Sequence, residues 1–378
     1  MGKNVSDTVD RRRRALLGGA LAAGTLIAGA TESSVARPAG GSAASRRVID
    51  VHTHMYTRGW QDAVRKANDT HIKLTPAPNG VDSMFYMWSN VGVLDNEMFD
   101  WDLRIRKMDE AGVDLALISL SSPNVFLAER EQSVKTAQAA NDDFAAATGK
   151  YPKRIKWMAS LPWDFASDAL SELRRAKDAG AIGVCMLTNI AGTPLTEARY
   201  QPIWTEIESM GLPVFIHPTL PKVDYGLIYP GGGGALANAV GFTTETTLCF
   251  GRMIFEGFLD HYPGLKLVAC HGGGTLPYLA ARFDRVWEQM SGSSKPSKEQ
   301  PSHYIKHRLY YDSILYDQET LAFLVSYVDK DRVMYGSDYP FSLGDMPGIL
   351  GRVNYLPGHE RDALRSGNAI KLFGLSPS

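Results

Sequence analysis

Residues 48–55 read VIDVHTHM, an apolar, β-branched run that carries two histidines two positions apart. In a strand, residues i and i+2 lie on the same side, so His52 and His54 present both imidazoles to one face. Such a pair either binds a metal or decorates the edge of a surface sheet, and the rest of the chain decides between the two. Three more ligand-type residues close apolar runs of the same kind: His217 in VFIHPT, His271 in LVACHGGG and Asp338 in MYGSDYP. Neutral imidazoles with one carboxylate suit Zn²⁺ or another divalent first-row ion. Zinc is the first expectation for the ion and manganese the second. His52, His54, His217 and Asp338 form the expected ligand set. His271 is either a fourth imidazole ligand or a base hydrogen-bonded to a metal-bound water, and the second role is the expectation. The glycines at 272–274 let the backbone turn closely behind it.

These residues need a scaffold that brings distant strand ends together. From Val48 onward, eight short apolar runs alternate with helical patterns. The predicted strands are 48–54, 115–120, 155–161, 182–187, 214–219, 265–271, 309–314 and 333–338. Near-continuous apolar character marks parallel strands buried on both faces. The fold class is therefore α/β, a (β/α)8 TIM barrel. The runner-up is an open doubly wound sheet, but no GxGxxG follows the first strand. In a closed barrel the eighth strand lies beside the first, so Asp338 approaches His52 and His54 while His217 faces them from the opposite wall. No lysine occurs between Lys177 and Lys222, so no carboxylated lysine can bridge two metals and a single ion is expected. A plain barrel needs ~250 residues. The surplus falls in residues 55–101 and 220–243, which should form a lid over the mouth. The glycine run at 231–234 has no Lys-Ser/Thr behind it and reads as a loop rather than a phosphate cradle.

Composition bounds the remaining possibilities. The 378 residues are 44% hydrophobic and 21% charged, with a formal net charge of −1. That is ordinary globular usage, and it supplies no basic field for nucleic acid. Cys185, Cys249 and Cys270 are widely spaced and sit in apolar runs, so no disulfide framework is expected. Residues 9–36 differ in kind. Arg11–Arg14 precede a short Gly/Ala/Leu stretch with small-residue cleavage sites ending at Ala30 and Ala36. This is signal-peptide anatomy, and RRRALLG resembles a twin-arginine export signal. Its apolar run is too short for a membrane span of ~20 residues. The expected organisation is a signal peptide over 1–36, a linker over 37–46 and the barrel over 47–378. The mature chain is expected to be periplasmic or secreted, with no stable membrane insertion.

The set VIDVHTH, WDLRIRKMDEAGVD, VFIHPT, CHGGGTLPYLAARFDR and YGSDYPF resembles the amidohydrolase-related family. Within it, the set resembles the decarboxylase branch typified by aminocarboxymuconate semialdehyde decarboxylase. The resemblance spans residues 47–374. It implies a metal held by His52, His54, His217 and Asp338, with His271 beside the metal water. It further implies that Arg282 binds a substrate carboxylate across a homodimer interface. A helix-surface ion pair with Asp284 is the alternative for Arg282. No arginine occurs between Arg65 and Arg104, so the resemblance points to the branch and not to its named substrate. Three functions follow in order. The first is nonoxidative, metal-dependent decarboxylation of a hydroxylated aromatic or unsaturated carboxylic acid. The second is hydrolysis of an amide, lactone or ester on the same ligands. The third is a binding protein on a barrel scaffold.

Overall fold

The computed structural model describes residues 47–67, 69, 72–76, 82–87, 89–220, 233–290, 295 and 297–377. The signal-peptide and linker expectations for residues 1–46, and the glycine run up to residue 232, lie outside them.

Eight parallel strands form one sheet in sequence order. They are β1 (Ile49–His54), β2 (Leu115–Ser119), β3 (Ile155–Ala159), β4 (Gly183–Leu187), β5 (Pro213–His217), β6 (Lys266–Ala269), β7 (Leu309–Asp312) and β8 (Val333–Met334). Each lies within one residue of an expected run at its start, but several stop earlier. The sheet closes between β8 and β1: Val51 N–H donates to Tyr335 O at 3.0 Å and His54 N–H to Tyr339 O at 2.8 Å. The barrel expectation holds and the open sheet is excluded.

Helices between the strands begin and end where local chemistry dictates. Trp101–Ala111 starts at Asp100, whose side chain accepts from Leu103 N–H, and stops at Gly112 in the left-handed conformation. Gln201–Met210 ends the same way at Gly211. Helix Arg130–Lys150 instead runs through Gly149 and ends at Tyr151. Between β5 and β6, helices Phe242–Phe255 and Phe258–His261 are separated at Gly257.

The barrel interior holds Ile49, Val51, Leu115, Leu117, Met158, Cys185, Phe215, Val268, Cys270 and Met334, all buried. Ala369, Leu372 and Phe373 of the last helix pack into the same cluster, so the C-terminus plugs the barrel. The three cysteines are free and buried, as expected.

Strict alternation along β1 would send either Ile49 and Val51 or His52 and His54 inward, not both. The register resolves this. Asp50 pairs with Ala116 but Thr53 with Ile118, so β1 has one extra residue there. That bulge changes the inward parity midway along the strand. Apolar residues line the lower barrel and histidines the upper.

The insertion after β1 is ordered rather than a plain loop. Helix Arg58–Ala67 is followed by a three-stranded antiparallel sheet of Ile72–Pro76, Asp82–Tyr86 and Ser89–Leu94. Buried Asp82 joins the two, accepting from Gln61 Nε2 at 2.7 Å and pairing with Arg65 Nη2 at 2.7 Å. The sheet reaches the barrel mouth at Tyr86, whose hydroxyl accepts from Thr219 Oγ1 at 3.4 Å. Thr219 lies two residues beyond β5, which agrees with a lid.

One buried cation ties the closing seam. Arg104 is fully buried. It donates through Nη1 to Thr53 Oγ1 at 2.5 Å and through Nη2 to His54 O, and it lies 4.3 Å from the Tyr339 ring centroid. Thr53 Oγ1 in turn donates to Tyr339 O at 2.9 Å. Replacing Arg104 with Met should remove both donors while keeping much of the volume. A loss of about 2–3 kcal/mol is expected from hydrogen bonds made by a charged group. It would appear as a lower urea midpoint with an unchanged slope.

Candidate metal centre

His52 and His54 project from the top of β1 with their Nε2 atoms 3.0 Å apart. Two nitrogens sharing one ion at ~2.1 Å must stand about this far apart. Asp338 Oδ1 lies 3.4 Å from His52 Nε2 and 3.3 Å from His54 Nε2. His217, the last residue of β5, faces them: its ring centroid is 5.3 Å from that of His52 and 4.8 Å from that of His54. Ligand atoms of His52, His217, His271 and Asp338 all lie within 4.8 Å of one another. The five residues singled out at strand ends therefore converge. His54 enters through its contacts with His52 and Asp338. His271 enters through Asp338, with Nε2 3.6 Å from Oδ2.

The hydrogen bonds orient the lone pairs. His52 Nδ1–H donates to Asp312 Oδ2 at 2.7 Å. His217 Nδ1–H donates to Pro218 O at 2.7 Å. Each proton is thereby placed on Nδ1, and each Nε2 keeps its lone pair for the centre. His54 Nδ1 meets Ser119 Oγ at 3.2 Å. Asp338 Oδ1 is buried with no hydrogen-bond partner, the state expected of an oxygen reserved for a cation.

Electrostatics agree. Burial pushes His54 down to about 4 and His217 well below its usual value, so both are neutral. Burial would also lower His52, but Asp312 and Asp338 raise it to about 9. Burial would raise Asp338, yet His271, His52 and His54 hold it well below the ordinary carboxylate range. The carboxylates around the cluster thus favour a positive charge at its centre. The residues present fit a single divalent ion with nitrogen and oxygen ligands.

Two backbone positions aim the site. His271 and Asp338 have φ of 54° and 58°, a left-handed conformation unusual for residues with a Cβ. Neither lies in a strand, although both were expected at strand ends. β6 stops at Ala269 and β8 at Met334, and each side chain is delivered by a turn. The glycines behind them allow this. A Cβ on Gly336 would stand 2.7 Å from His52 Cβ, and one on Gly274 would meet Thr243 O at 2.3 Å.

Sequence reasoning missed the residues that support this centre. Asp312 accepts from His52 and from the backbone N–H of His271 and Gly272 at 2.9 and 3.0 Å. Its signal was a carboxylate inside the apolar run LYYDS of β7. Asp50 accepts from Ser337 Oγ at 2.5 Å and Ser337 N–H at 3.1 Å; burial raises it to about 7. Arg282 is not brought into the cluster. It is exposed on helix Leu276–Gln289, without the Asp284 pair among the described residues.

Comparison with known proteins places this geometry in a family. Residues 49–375 match the amidohydrolase family model. A 2-amino-3-carboxymuconate-6-semialdehyde decarboxylase from Dictyostelium discoideum is 29% identical over 87% of this chain and 92% of its own length. A γ-resorcylate decarboxylase from Polaromonas sp. is 30% identical over 73% of this chain and 87% of its own. Among solved structures, a dihydroxybenzoic acid decarboxylase from Polaromonas sp. JS666 superposes with a TM-score of 0.72 at 25% identity. It covers 87% of this chain and 97% of that one, and it holds manganese and the inhibitor 2-nitroresorcinol. The match over residues 49–375 and the relatives that align along most of the chain show that it belongs to the amidohydrolase family.

Proposed function

We propose that this protein is a metal-dependent nonoxidative decarboxylase, a carboxy-lyase acting on a hydroxylated aromatic or unsaturated carboxylic acid. The observation that carries the reading is the division of Asp338: Oδ1 faces His52 and His54, while Oδ2 faces His271 Nε2. One carboxylate then borders both the cation site and a proton-transfer group. A divalent ion held by His52, His54, His217 and Asp338 would bind substrate oxygens and stabilise negative charge as CO₂ leaves. Manganese in the Polaromonas structure supports that ion, and the nitrogen-rich ligand set suits zinc equally.

The remaining work falls to the chain's own residues. The bond from the substrate carbon to its carboxylate breaks, its electron pair stays on that carbon, and a proton must replace CO₂ there. His271 is the partly exposed member of the cluster, whereas His52, His54 and His217 are buried. It can therefore meet substrate, with its Nε2 proton passed to carbon or exchanged with Asp338 Oδ2. Phe341, 5.4 Å from the His54 ring, and Phe242, 6.5 Å from the His217 ring, offer apolar surfaces for a planar substrate.

Arg282 has a role only if another copy of the chain completes the pocket. It shares a helix face with Tyr278, which is 82% exposed, and Val286, also exposed. This surface supports a homodimer in which Arg282 reaches the partner's substrate. Arg282→Met should raise KM roughly tenfold or more, the value of a charge-assisted hydrogen bond, with metal content unchanged. Light scattering should report a dimer. For residues 1–36 the proposal remains twin-arginine export to the periplasm or beyond, resting on the sequence pattern. Among the described residues, no helix is long and apolar enough to cross a membrane.

The direct test is CO₂ release from hydroxylated aromatic acids, with metal counted per chain by elemental analysis. His52→Ala and Asp338→Ala should each lose bound metal and CO₂ release together. His271→Ala should keep its metal and lose about 10²–10⁴-fold in turnover; loss of metal instead would make His271 a ligand. Acid plus amine or alcohol as products, without CO₂, would replace the decarboxylase by a hydrolase.

A further inference from the structure

We propose that Asp312 is a positioning residue that couples the two halves of the site, holding His52 in its ligating tautomer and His271 in its proton-transfer turn. The inference rests on the ligand role assigned above to His52.

Asp312 is completely buried at the end of β7, and both its oxygens are fully used. Oδ2 accepts from His52 Nδ1 at 2.7 Å and from His271 N–H at 2.9 Å. Oδ1 accepts from Gly272 N–H at 3.0 Å and from Ile314 N–H at 3.1 Å. All four partners are donors, so the position requires an acceptor on both sides, which only an ionised carboxylate supplies. The bond to His52 leaves Nε2 unprotonated and aimed at His54 and Asp338. The bonds to residues 271 and 272 favour the left-handed turn in which His271 has φ 54° and ψ 52°. That turn brings His271 Nε2 to Asp338.

Cys270 Sγ also lies within 4.8 Å of Asp312 and His52 ligand atoms. The three do not make a second metal site, because the His52 nitrogen facing Asp312 already donates to it and both carboxylate oxygens are occupied.

Asp312→Asn is close to isosteric but replaces one acceptor by an NH₂ donor. Whichever way the amide turns, two donors then face each other. If the amide nitrogen faces His52, the ring proton must move to Nε2 and block the ligand position. If it faces Gly272 and Ile314, the His271 turn loses one of its two anchors, the bond from Gly272 N–H.

The experiment uses the full chain, stripped of metal with a chelator and titrated with zinc against a chromophoric competitor. Asp312→Asn should bind zinc 10–100-fold more weakly than wild type, the usual cost of removing a group that orients a ligand. At saturating zinc its kcat should fall with KM little changed. The second measurement needs no variant: long-range ¹H–¹⁵N spectra of the zinc-loaded wild type should show His52 protonated at Nδ1. Zinc affinity and kcat equal to wild type in Asp312→Asn overturn the proposal, and so does a His52 whose Nδ1 carries no proton. His52→Ala is the control for the reading beneath it. If wild type takes up no zinc, or His52→Ala binds it normally, the ligand assignment fails. If His52→Ala loses zinc while Asp312→Asn does not, the role of Asp312 alone fails.

Discussion

The carbonyl of His52 accepts two hydrogen bonds from across the seam that closes the barrel, from Ser337 N–H at 3.0 Å and Asp338 N–H at 2.8 Å. Its side chain lies inside, among the donors of the metal centre. One residue thus holds the last strand against the first and presents a candidate ligand beside the carboxylate it has just positioned. β8 itself has only two strand residues, so ladder pairing contributes little at this seam. The closure depends on specific polar contacts instead: the His52 carbonyl, Asp50 with Ser337, Thr53 with Tyr339, and Arg104 over Tyr339. If the seam opened, Asp338 would separate from His52 and His54, so the integrity of the fold and of the ligand set are the same requirement.

Gathering four imidazoles and several carboxylates in a barrel mouth opposes folding unless each group is satisfied. The structure meets this by giving the outward nitrogen of each buried histidine its own partner: Asp312 for His52, Ser119 for His54 and the Pro218 carbonyl for His217. What is left facing inward is a set of lone pairs and one unpartnered carboxylate oxygen. That residual demand for positive charge makes the centre selective for a cation. His52, alone among the buried candidate ligand histidines, has a raised pKa, because Asp312 and, after it, Asp338 outweigh the effect of burial. His271 differs because it sits on a turn at the edge of the cluster, partly open, where a substrate can arrive.

The insertion after β1 gives the mouth a wall. Its sheet is tied to helix Arg58–Ala67 through Asp82 and leans on Thr219 through Tyr86. The wall therefore rests on the residues just past His217, and any shift of the sheet is felt beside a candidate metal ligand. Segments of this kind are where substrate preference is set on a common scaffold.

Much of this was legible in the sequence. Eight apolar runs announced the strands because parallel strands buried on both faces tolerate little else. His52, His54, His217, His271 and Asp338 stood out because ligand-type residues closing apolar runs have few structural uses. The sequence also delimited the insertion, though its sheet was hidden by short polar strands. Only the tertiary structure decided the rest. Periodicity could not reveal the bulge in β1, since a change of parity comes from pairing with β2. Nor could it separate Asp312 from an ordinary strand-end residue, because its four donors come from three segments scattered between residues 52 and 314. The left-handed turns at His271 and Asp338 are likewise set by distant hydrogen bonds. Residue types specified which chemistry was possible; long-range hydrogen bonds, which leave no periodic trace, determined how the groups face one another.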